Sequence, residues 1–242
     1  MARKKTKKSA KTGLRPRIGE LVRRGLRLLW RVALWSAVAV VIWVLAYRWI
    51  DPPTTPYILA EGLRLGEVER QWVDIDAIAP VMARSVVAAE DANFCLHWGF
   101  DVAAIRDAIE AGSGRGASTI SQQVVKNVFL WQDRSWLRKA LEAGMTPLME
   151  TLWPKRRIIE VYLNMAEFGE GVFGVQAAAQ LYFRVDAGDL SAPQAAALAS
   201  ILPNPKDRNA AAMTPALQRK ARRVQDGAAT IRSDGRAACF ED

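Results

Sequence analysis

Apolar residues recur every three or four positions over most of the chain after residue 74, which is the spacing of helices with one buried face. Capping residues, prolines and glycines divide this pattern into separate segments. Little of the alternation typical of strands is present, so we predict a mainly α-helical domain. The predicted helices start near residues 80, 101, 118, 135, 154, 175, 191 and 214, and they end near residues 90, 111, 128, 152, 165, 183, 202 and 235.

Two of these segments carry specific predictions about the buried face. In the helix that starts near residue 101, Val102 and Ile109 belong to the apolar face and are expected inside. In the helix that starts near residue 135, the apolar stripe begins at Leu137, whereas Arg138 and Glu142 follow one another on a polar stripe. Spacing of four residues between opposite charges is typical of an exposed, salt-bridged face. Residues 57–73 are ambiguous, and their local alternation favours a short hairpin.

One apolar stretch near the N-terminus predicts a membrane anchor. The span that we assign, residues 32–50, is about as long as the roughly 20 residues that a bilayer requires. Basic residues precede it, which predicts a cytoplasmic N-terminus and an extracytoplasmic domain after residue 50. A cleaved signal peptide is the alternative, but the bulky Tyr47-Arg48-Trp49 junction lacks the small residues of a cleavage site. Residues 51–56 contain three prolines and are expected to form a stiff linker.

The net charge of +9 belongs to the N-terminal arm rather than to the domain. Residues 1–31 hold twelve of the 34 Lys and Arg residues and a single acid, Glu20. The rest of the chain is close to neutral, so the charge does not indicate a nucleic-acid partner, and none is expected. The basic helix within residues 211–242 is interpreted as a solvated face or as a surface that meets anionic lipid headgroups.

Rare residue types exclude several kinds of site. Cys95 and Cys239 are the only cysteines, and their spacing leaves open whether they pair. His97 is the only histidine, which excludes a zinc site built from several histidines and makes any Ser-His-Asp triad depend on this residue. The sequence has no P-loop and no dinucleotide fingerprint. It also lacks the Ser-x-x-Lys motif of penicillin-binding transpeptidases.

Glu90 and Asp91 are the first candidates for chemistry. They lie side by side where a predicted buried helix ends, and the apolar Phe94 follows closely. The dipole at a helix C-terminus disfavours negative charge, and so does apolar surface. A carboxylate in this setting accepts a proton more readily, which suits a general base. The alternative is an exposed acidic pair that only ends the helix.

Three further polar clusters follow on later predicted helices. Two separated carboxylates suit chemistry at the anomeric carbon of a sugar, and Lys and Arg beside them suit a phosphate group. From spacing alone, however, a salt-bridged helix face is the simpler explanation of the cluster at residues 134–142. The clusters are Thr119, Gln123, Lys126 and Asn127; Arg134, Arg138, Lys139 and Glu142; and Lys155, Asn164 and Glu167.

These residues belong to four motifs that follow one another along the chain. The motifs are Glu90-Asp91-x-x-Phe94-x-x-His97-x-Gly99, Gly116-Ala117-Ser118-Thr119-Ile120-Ser121-Gln122-Gln123-x-x-Lys126-Asn127, Arg138-Lys139-x-x-Glu142, and Lys155-x-x-Ile158-Ile159-x-x-Tyr162-Leu163-Asn164. In this order they resemble the peptidoglycan glycosyltransferases of family 51, specifically the monofunctional, membrane-anchored transglycosylases. The resemblance covers about residues 57–210.

The resemblance implies a lysozyme-like helical domain that polymerises lipid II at the bacterial inner membrane. Glu90 would act as the base that deprotonates the 4-hydroxyl of lipid II. That oxygen would attack the anomeric carbon of the growing chain with inversion, forming a β-1,4 bond as undecaprenyl diphosphate leaves. Glu142 would be the second catalytic glutamate. The diphosphate would be neutralised by Lys126, Arg134, Arg138 and Lys139, and the cleft would be shaped by Asp91, Phe94, Thr119, Gln123 and Asn127.

The resemblance also defines the expected partners. They are lipid II, the growing glycan chain and membrane lipid, and proteins of the division or elongation machinery are compatible with them. No motif requires a cofactor or assigns metal ligands, although a divalent cation, Mg or Mn, is compatible with Glu142. His97 is expected to have a structural role.

The expected organisation is a basic cytoplasmic arm (1–31), a transmembrane helix (32–50), a linker (51–56), the glycosyltransferase domain (57–210) and a C-terminal basic helix and tail (211–242). Two other functions are weighed against the synthase. One is a lysozyme-like lytic transglycosylase or hydrolase, which would cleave glycan and would not need the cations. The other is a non-catalytic membrane scaffold of the cell-wall machinery.

Overall fold

The computed structural model describes residues 14–110, 112, 118–133 and 135–241. Most of these residues are helical, which confirms the predicted fold class. The described helices are α1 (Leu14–Ala46), α2 (Pro56–Leu65), α3 (Pro80–Glu90), α4 (Val102–Glu110), α5 (Ile120–Phe129), α6 (Trp136–Leu152), α7 (Lys155–Met165), α8 (Val175–Phe183), α9 (Ala192–Ile201), α10 (Pro215–Ser233) and α11 (Ala238–Glu241).

Three short strands form a small sheet beside the helices. They are β1 (Glu69–Arg70), β2 (Glu167–Gly169) and β3 (Val172–Phe173), in the order β1-β3-β2. Strand β3 pairs in parallel with β1 and antiparallel with β2. Gly174 follows β3 at a φ of +85°, and a Cβ there would come within 3.0 Å of the Asn164 carbonyl oxygen. Glycine at this position therefore lets the chain return closely against the end of α7.

The chain divides into two compact units, Met1–Trp43 and Val44–Asp242. Within α1, the 28 residues Gly19–Ala46 are long and apolar enough to cross a membrane, and an 18-residue stretch among them has a mean hydropathy of 2.1. Helix α1 starts at Leu14, well before the predicted span of residues 32–50, and it ends at Ala46, before the predicted end of that span. Residues 47–50 form turns. At its start the helix extends into the basic arm because Arg and Leu have a high helix propensity. After its end, Asp51 precedes Pro52, and a residue before proline is disfavoured in the helical conformation.

In the second unit, α3 and α5 are the central helices. Helix α3 packs against α9 and α10, and α5 packs against α6 and α7. Their apolar faces contribute Met82, Val86, Ile120 and Val125, all of which are buried, and Ile158 of α7 is fully buried as well. The two helices thereby hold the ends that carry Glu90 and the second motif at fixed positions.

The C-terminal part of the chain belongs to this unit and is not a separate tail. Leu217, Val224 and Ile231 lie on one face of α10 and are buried, and this helix packs on α3 and α9. The domain boundary that we set at residue 210 therefore does not separate compact units. A disulfide between Cys95 and Cys239 further joins the C-terminus to the segment after α3.

Residues 56–65 form a helix instead of the expected hairpin. The Thr55 side chain caps α2 by accepting a hydrogen bond from the backbone N–H of Ile58 at 3.1 Å. Pro56 occupies the first helical position, where its missing N–H costs nothing. The prediction was wrong because these two start signals outweigh a short apolar alternation.

The predicted buried faces of α4 and α6 are also wrong. Helix α4 has no buried residue among those described, and Ile109 is 75% exposed. In α6 the polar stripe lies inside, with Glu142 and Thr146 buried, while Leu137 is 65% exposed. Charged and polar side chains can occupy the inner face because each finds a partner there. Pro147 lies within α6 without ending it.

Candidate active site

Glu90 is the last residue of α3, as predicted, and its carboxylate turns toward α5. Its Oε2 accepts a hydrogen bond from the Gln123 side-chain amide at 2.9 Å. The Gln123 carbonyl oxygen in turn accepts a bond from the Tyr162 hydroxyl at 3.2 Å. The phenol therefore fixes which end of the Gln123 amide faces Glu90. Tyr162 belongs to the fourth motif, but the sequence did not predict this contact.

The side chain of Tyr162 in α7 is buried, and it lies near the acidic residues Glu90 and Asp91 at the C-terminal end of α3. Burial raises the pKa of its hydroxyl well above the usual value, and the negative charges of Glu90 and Asp91 raise it further. The phenol therefore stays protonated throughout the physiological range. It can act as a permanent donor to Gln123, and so as an indirect support of Glu90.

Asp91 points into the protein and holds two other segments. Its Oδ2 accepts the backbone N–H of Ile120 at 3.0 Å, and its Oδ1 is bonded to Nε2 of His97 at 2.8 Å. Both side chains are buried. Asp91 thus connects the end of α3 with the start of α5. His97 orients the Asp91 side chain, which is a structural role.

Thr119 caps α5 and lies beneath the site. Its hydroxyl accepts the N–H of Gln122 and donates to the Gly99 carbonyl oxygen at 2.6 Å. Gln122 completes a capping box by accepting the Thr119 N–H. The cap is one residue later than the predicted Ser118. Thr119 is 2% exposed, so the structure places it as a support of α5 instead of a residue on the cleft surface.

Glu142 projects from α6 toward α5. Its Oε2 accepts from Arg138 Nη1 at 2.6 Å, and its Oε1 is paired with the Lys139 ammonium group. Gln122 donates to the same Oε1 at 3.4 Å. Glu142 is 3% exposed, so its charge is buried and offset by two cations. The three residues of the third motif therefore form one cluster.

Lys126 lies within electrostatic reach of both glutamates. Burial lowers the pKa of its ammonium group. The negative charges of Glu142 and Glu90 raise this pKa, whereas the positive charges of Arg138 and Lys139 lower it further. Lys126 of α5 therefore interacts electrostatically with the carboxylates of both Glu90 and Glu142. The adjacent Gln122 and Gln123 bind one glutamate each.

The remaining predicted site residues are Phe94, Asn127 and Arg134, and they do not share one environment. Phe94 is fully buried and lies beneath the site, with Nζ of Lys155 4.3 Å from its ring centroid. Asn127 accepts a hydrogen bond from the Gln132 amide at 3.0 Å. Arg134 lies outside the described residues. Phe94 can therefore shape the cleft only from below, whereas Asn127 borders open space.

Lys155 of the fourth motif supports the first motif from behind. Its ammonium group donates to the His97 carbonyl oxygen and to Glu150 Oε1, each at 2.8 Å. Glu150 is buried and also accepts from the Ser121 hydroxyl. Sequence reasoning missed Glu150, although it lies eight residues after Glu142 and so projects from a similar face of α6.

A cavity of about 180 Å³ opens beside these groups. Gln123, Lys126 and Asn127 form one wall, and Tyr57 with Glu167 form another. Two larger cavities, of about 390 and 470 Å³, border α10 and the C-terminal end. Neither larger cavity has the glutamine and lysine of α5 in its wall. The smaller cavity is therefore the candidate substrate site.

Within the part of the chain that the structure describes, no group of three or more His, Cys, Asp or Glu residues could hold a metal ion. At Glu142, moreover, both carboxylate oxygens already face cations. A divalent cation bound there would be repelled by Arg138 and Lys139. The residues present at Glu142 therefore do not fit a Mg or Mn site.

Comparison with known proteins agrees with this constellation. The family model described as Transglycosylase matches residues 59–229. A protein of Jannaschia sp. (strain CCS1) is 56% identical over 237 residues, which cover 98% of each chain. A protein of Rhodospirillum centenum is 46% identical over 92% of this chain and 98% of its own length. Both bear the name biosynthetic peptidoglycan transglycosylase. The chain therefore belongs to the transglycosylase family, as its motifs predict.

Proposed function

We propose that this chain polymerises lipid II into glycan strands of peptidoglycan. Each cycle forms a β-1,4 bond with inversion at the anomeric carbon and releases undecaprenyl diphosphate. The observation that carries the proposal is that Lys126 and Gln123 line an open cavity, while Gln123 binds Glu90 and Lys126 interacts electrostatically with both Glu90 and Glu142. The family and the names of its relatives support the same reaction.

Glu90 is the proposed base. Among the described residues, its carboxylate is hydrogen-bonded to a neutral amide and forms no salt bridge. Such a carboxylate is free to take the proton from the 4-hydroxyl of the acceptor as that oxygen attacks. Gln123 and Tyr162 hold the carboxylate in place without supplying a positive charge that would weaken it as a base.

The leaving diphosphate is the proposed partner of the cations. Lys126, Arg138 and Lys139 carry three positive charges, and Glu142 cancels one of them. The remaining two charges match the two negative charges of a diphosphate diester. Because these groups are held in place before the reaction, they stabilise the charge that develops on the leaving group. Arg134, which lies outside the described residues, is proposed to add to this set.

Glu142 then serves chiefly to hold the cations in position. Its buried carboxylate fixes Arg138 and Lys139 side by side on α6. Gln122 links the same carboxylate to the cap of α5. The proposed consequence is that Glu142 acts through the cations and takes no proton from the acceptor.

The proposed location is the inner membrane, with the N-terminus in the cytoplasm and the catalytic unit outside. Six arginines of α1 precede its most apolar portion, which favours a cytoplasmic start. Several large apolar side chains near the motifs are exposed, as expected where lipid would cover them. They are Trp98 (72% exposed), Ile109 (75%) and Trp136 (92%).

A lysozyme-like hydrolase is the competing function, and a direct assay separates the two. The full-length chain in detergent is incubated with labelled lipid II, and in parallel with finished glycan strands. We expect the label to enter a polymer that a muramidase digests, and the finished strands to stay intact. Cleavage of finished strands would favour the hydrolase, and the absence of both reactions would favour the scaffold.

A further inference from the structure

The end of the chain lies against the segment that carries the first motif. We call residues 234–241 the C-terminal clasp, and residues 91–98 the first-motif loop. Cys239 of the clasp is joined to Cys95 of the loop by the disulfide. Arg236 donates from Nη1 to the Ala92 carbonyl oxygen at 3.0 Å. The clasp and the loop are therefore connected by a covalent bond and by a hydrogen bond to the loop backbone.

An aromatic contact closes the same interface. The rings of Phe94 and Phe240 have centroids 6.2 Å apart, and both side chains are almost completely buried. Phe94 also carries the Lys155 ammonium group over its ring and lies near His97. Phe240 therefore packs directly beneath the residues that shape the loop.

The clasp is attached to two helices besides the loop. Glu241 forms an ion pair with Arg84 of α3 at 3.1 Å. Arg156 of α7 donates to the Phe240 carbonyl oxygen at 3.2 Å. Helix α3 ends at Glu90, and α7 carries Tyr162 and Lys155. The clasp thus joins the three segments from which the Glu90 environment is built.

The loop transmits its position to the reacting carboxylate. Asp91 follows Glu90 directly, and its carboxylate holds both His97 within the loop and the N–H of Ile120 at the start of α5. Helix α5 in turn carries Gln123, the hydrogen-bond partner of Glu90. A displacement of the loop therefore changes the setting of Glu90 through Asp91 and through the start of α5.

The residues matched by the family model stop at residue 229, before the clasp. The disulfide joins two residues that are 144 positions apart in the sequence, and so it limits how far the clasp can move from the first-motif loop.

We propose that the C-terminal clasp positions the first-motif loop, with Cys239 and Phe240 as positioning residues, and that full activity requires the Cys95–Cys239 bond. This rests on the proposed function of the Glu90 site. The two thiols lose two electrons and two protons, which pass to the disulfide of a thiol-oxidising protein and convert it to a dithiol. Since disulfides persist outside the cytoplasm, the clasp closes only after the catalytic unit has reached that compartment.

The first test compares the full-length oxidised chain, the same chain reduced by a thiol reagent, and the C95S/C239S variant. Because misplacement of a catalytic group lowers the rate of the chemical step, we expect reduction to lower kcat about tenfold while KM for lipid II stays nearly constant. The serine variant should match the reduced chain and should not respond to the reagent. Unchanged kcat in both would overturn the proposal, and so would equal losses in kcat and helicity, which indicate a purely structural bond.

The second test does not depend on catalysis. Amide hydrogen exchange is measured for residues 91–98 and for Ile120 in the oxidised and the reduced chain. We expect faster exchange in the loop and at Ile120 after reduction, with unchanged exchange in α6. Equal exchange in both states would overturn the proposal. If the oxidised chain makes no polymer but exchange responds as expected, the proposed function fails and the clasp stands.

A third comparison keeps the disulfide intact. In the oxidised chain, Phe240→Ala should lower kcat more than KM changes, and Phe240→Leu should recover most of the loss because it refills the space beneath Phe94. Equal activity of Phe240→Ala and the wild type at a temperature where both are folded would contradict a positioning role.

Discussion

Glu90 and Glu142 both face α5, and each binds one of two consecutive glutamines of that helix. Beyond this shared partner their surroundings differ. Glu142 is buried and paired with Arg138 and Lys139, whereas Glu90 accepts a hydrogen bond from the neutral amide of Gln123 and forms no salt bridge among the described residues. Glu142 is therefore engaged by two cations, whereas the Glu90 carboxylate is not in direct contact with a cation among the described residues.

The comparison separates two roles that the sequence motifs alone leave joined. Glu90 is equipped to receive a proton, and Glu142 is equipped to hold positive charges in place. Lys126 connects them because it is influenced by both carboxylates and by the two cations. Substitutions at each side should therefore have different signatures in rate, stability and pH dependence.

The largest effect is expected from Glu90→Gln. The substitution keeps the shape of the side chain and removes the base, so the polymerisation rate should fall by about 10²–10⁴-fold. Thermal unfolding should be unchanged, since Glu90 forms no salt bridge among the described residues. The exposed Glu67 provides a control, and Glu67→Gln should behave as the wild type. An unchanged rate in Glu90→Gln would remove the base from its assigned position.

Lys126→Met should have the next largest effect. It removes the cation that interacts electrostatically with both glutamates, and loss of one preorganised charge-stabilising group typically lowers the rate by about 10²–10³-fold. Lys139→Met should lose less, because the Lys139 side chain is 44% exposed and partly screened by solvent. Rates measured at saturating lipid II decide the order. The reverse order would place the leaving group nearer to Lys139.

Glu142→Gln should lower stability as well as rate. Removal of the buried anion leaves Arg138 without its partner, which costs about 3 kcal/mol of unfolding free energy, at the low end for a buried pair because Lys139 reaches solvent. Chemical denaturation measures the loss. A variant as stable as the wild type would show that the cations are held by other groups.

The same variant should change the pH profile in a defined direction. The pKa of Lys126 is already lowered by burial, and Glu142 opposes that lowering. Without Glu142, the protonated form of Lys126 is less favoured, and its pKa falls further. The alkaline limb of the rate profile should therefore begin at a lower pH than in the wild type. A shift to higher pH would contradict the assigned electrostatics.

Tyr162→Phe should have the smallest effect. It removes the hydrogen bond that orients Gln123 and leaves the direct Gln123–Glu90 bond in place. A single hydrogen bond contributes about 1 kcal/mol, which corresponds to about a fivefold loss in rate. Gln123→Leu should lose more, because it removes the direct bond to Glu90. Equal losses in the two variants would indicate that Tyr162 acts on the site by another route.

The sequence predicted the helical class, the family and the end of α3 at Glu90 because each depends on local signals. Apolar spacing and capping residues determine where helices begin and end, and they did so for α3, α7 and α8 within a residue or two. The candidate site could be assembled only through the ordered motifs. Spacing alone favoured an exposed salt-bridged face for α6.

The buried face of α6 shows why spacing was insufficient. A single helix does not reveal whether its polar stripe meets water or the polar side chains of another helix. In the protein, Glu142 and Thr146 face inward, whereas Leu137 faces outward. The same limit applies to α4 and to the Cys95–Cys239 pair, since exposure and disulfide pairing depend on tertiary contacts.

Chemical rescue tests the distinction between the two glutamates most directly. Glu90→Ala and Glu142→Ala are assayed with lipid II in the presence of increasing formate, a small carboxylate that can enter the vacated space. If Glu90 takes the proton of the acceptor, formate should restore part of the rate in Glu90→Ala and none in Glu142→Ala. Rescue of Glu142→Ala, with Glu90→Ala unaffected, would assign the base to Glu142 and contradict the roles derived from their surroundings.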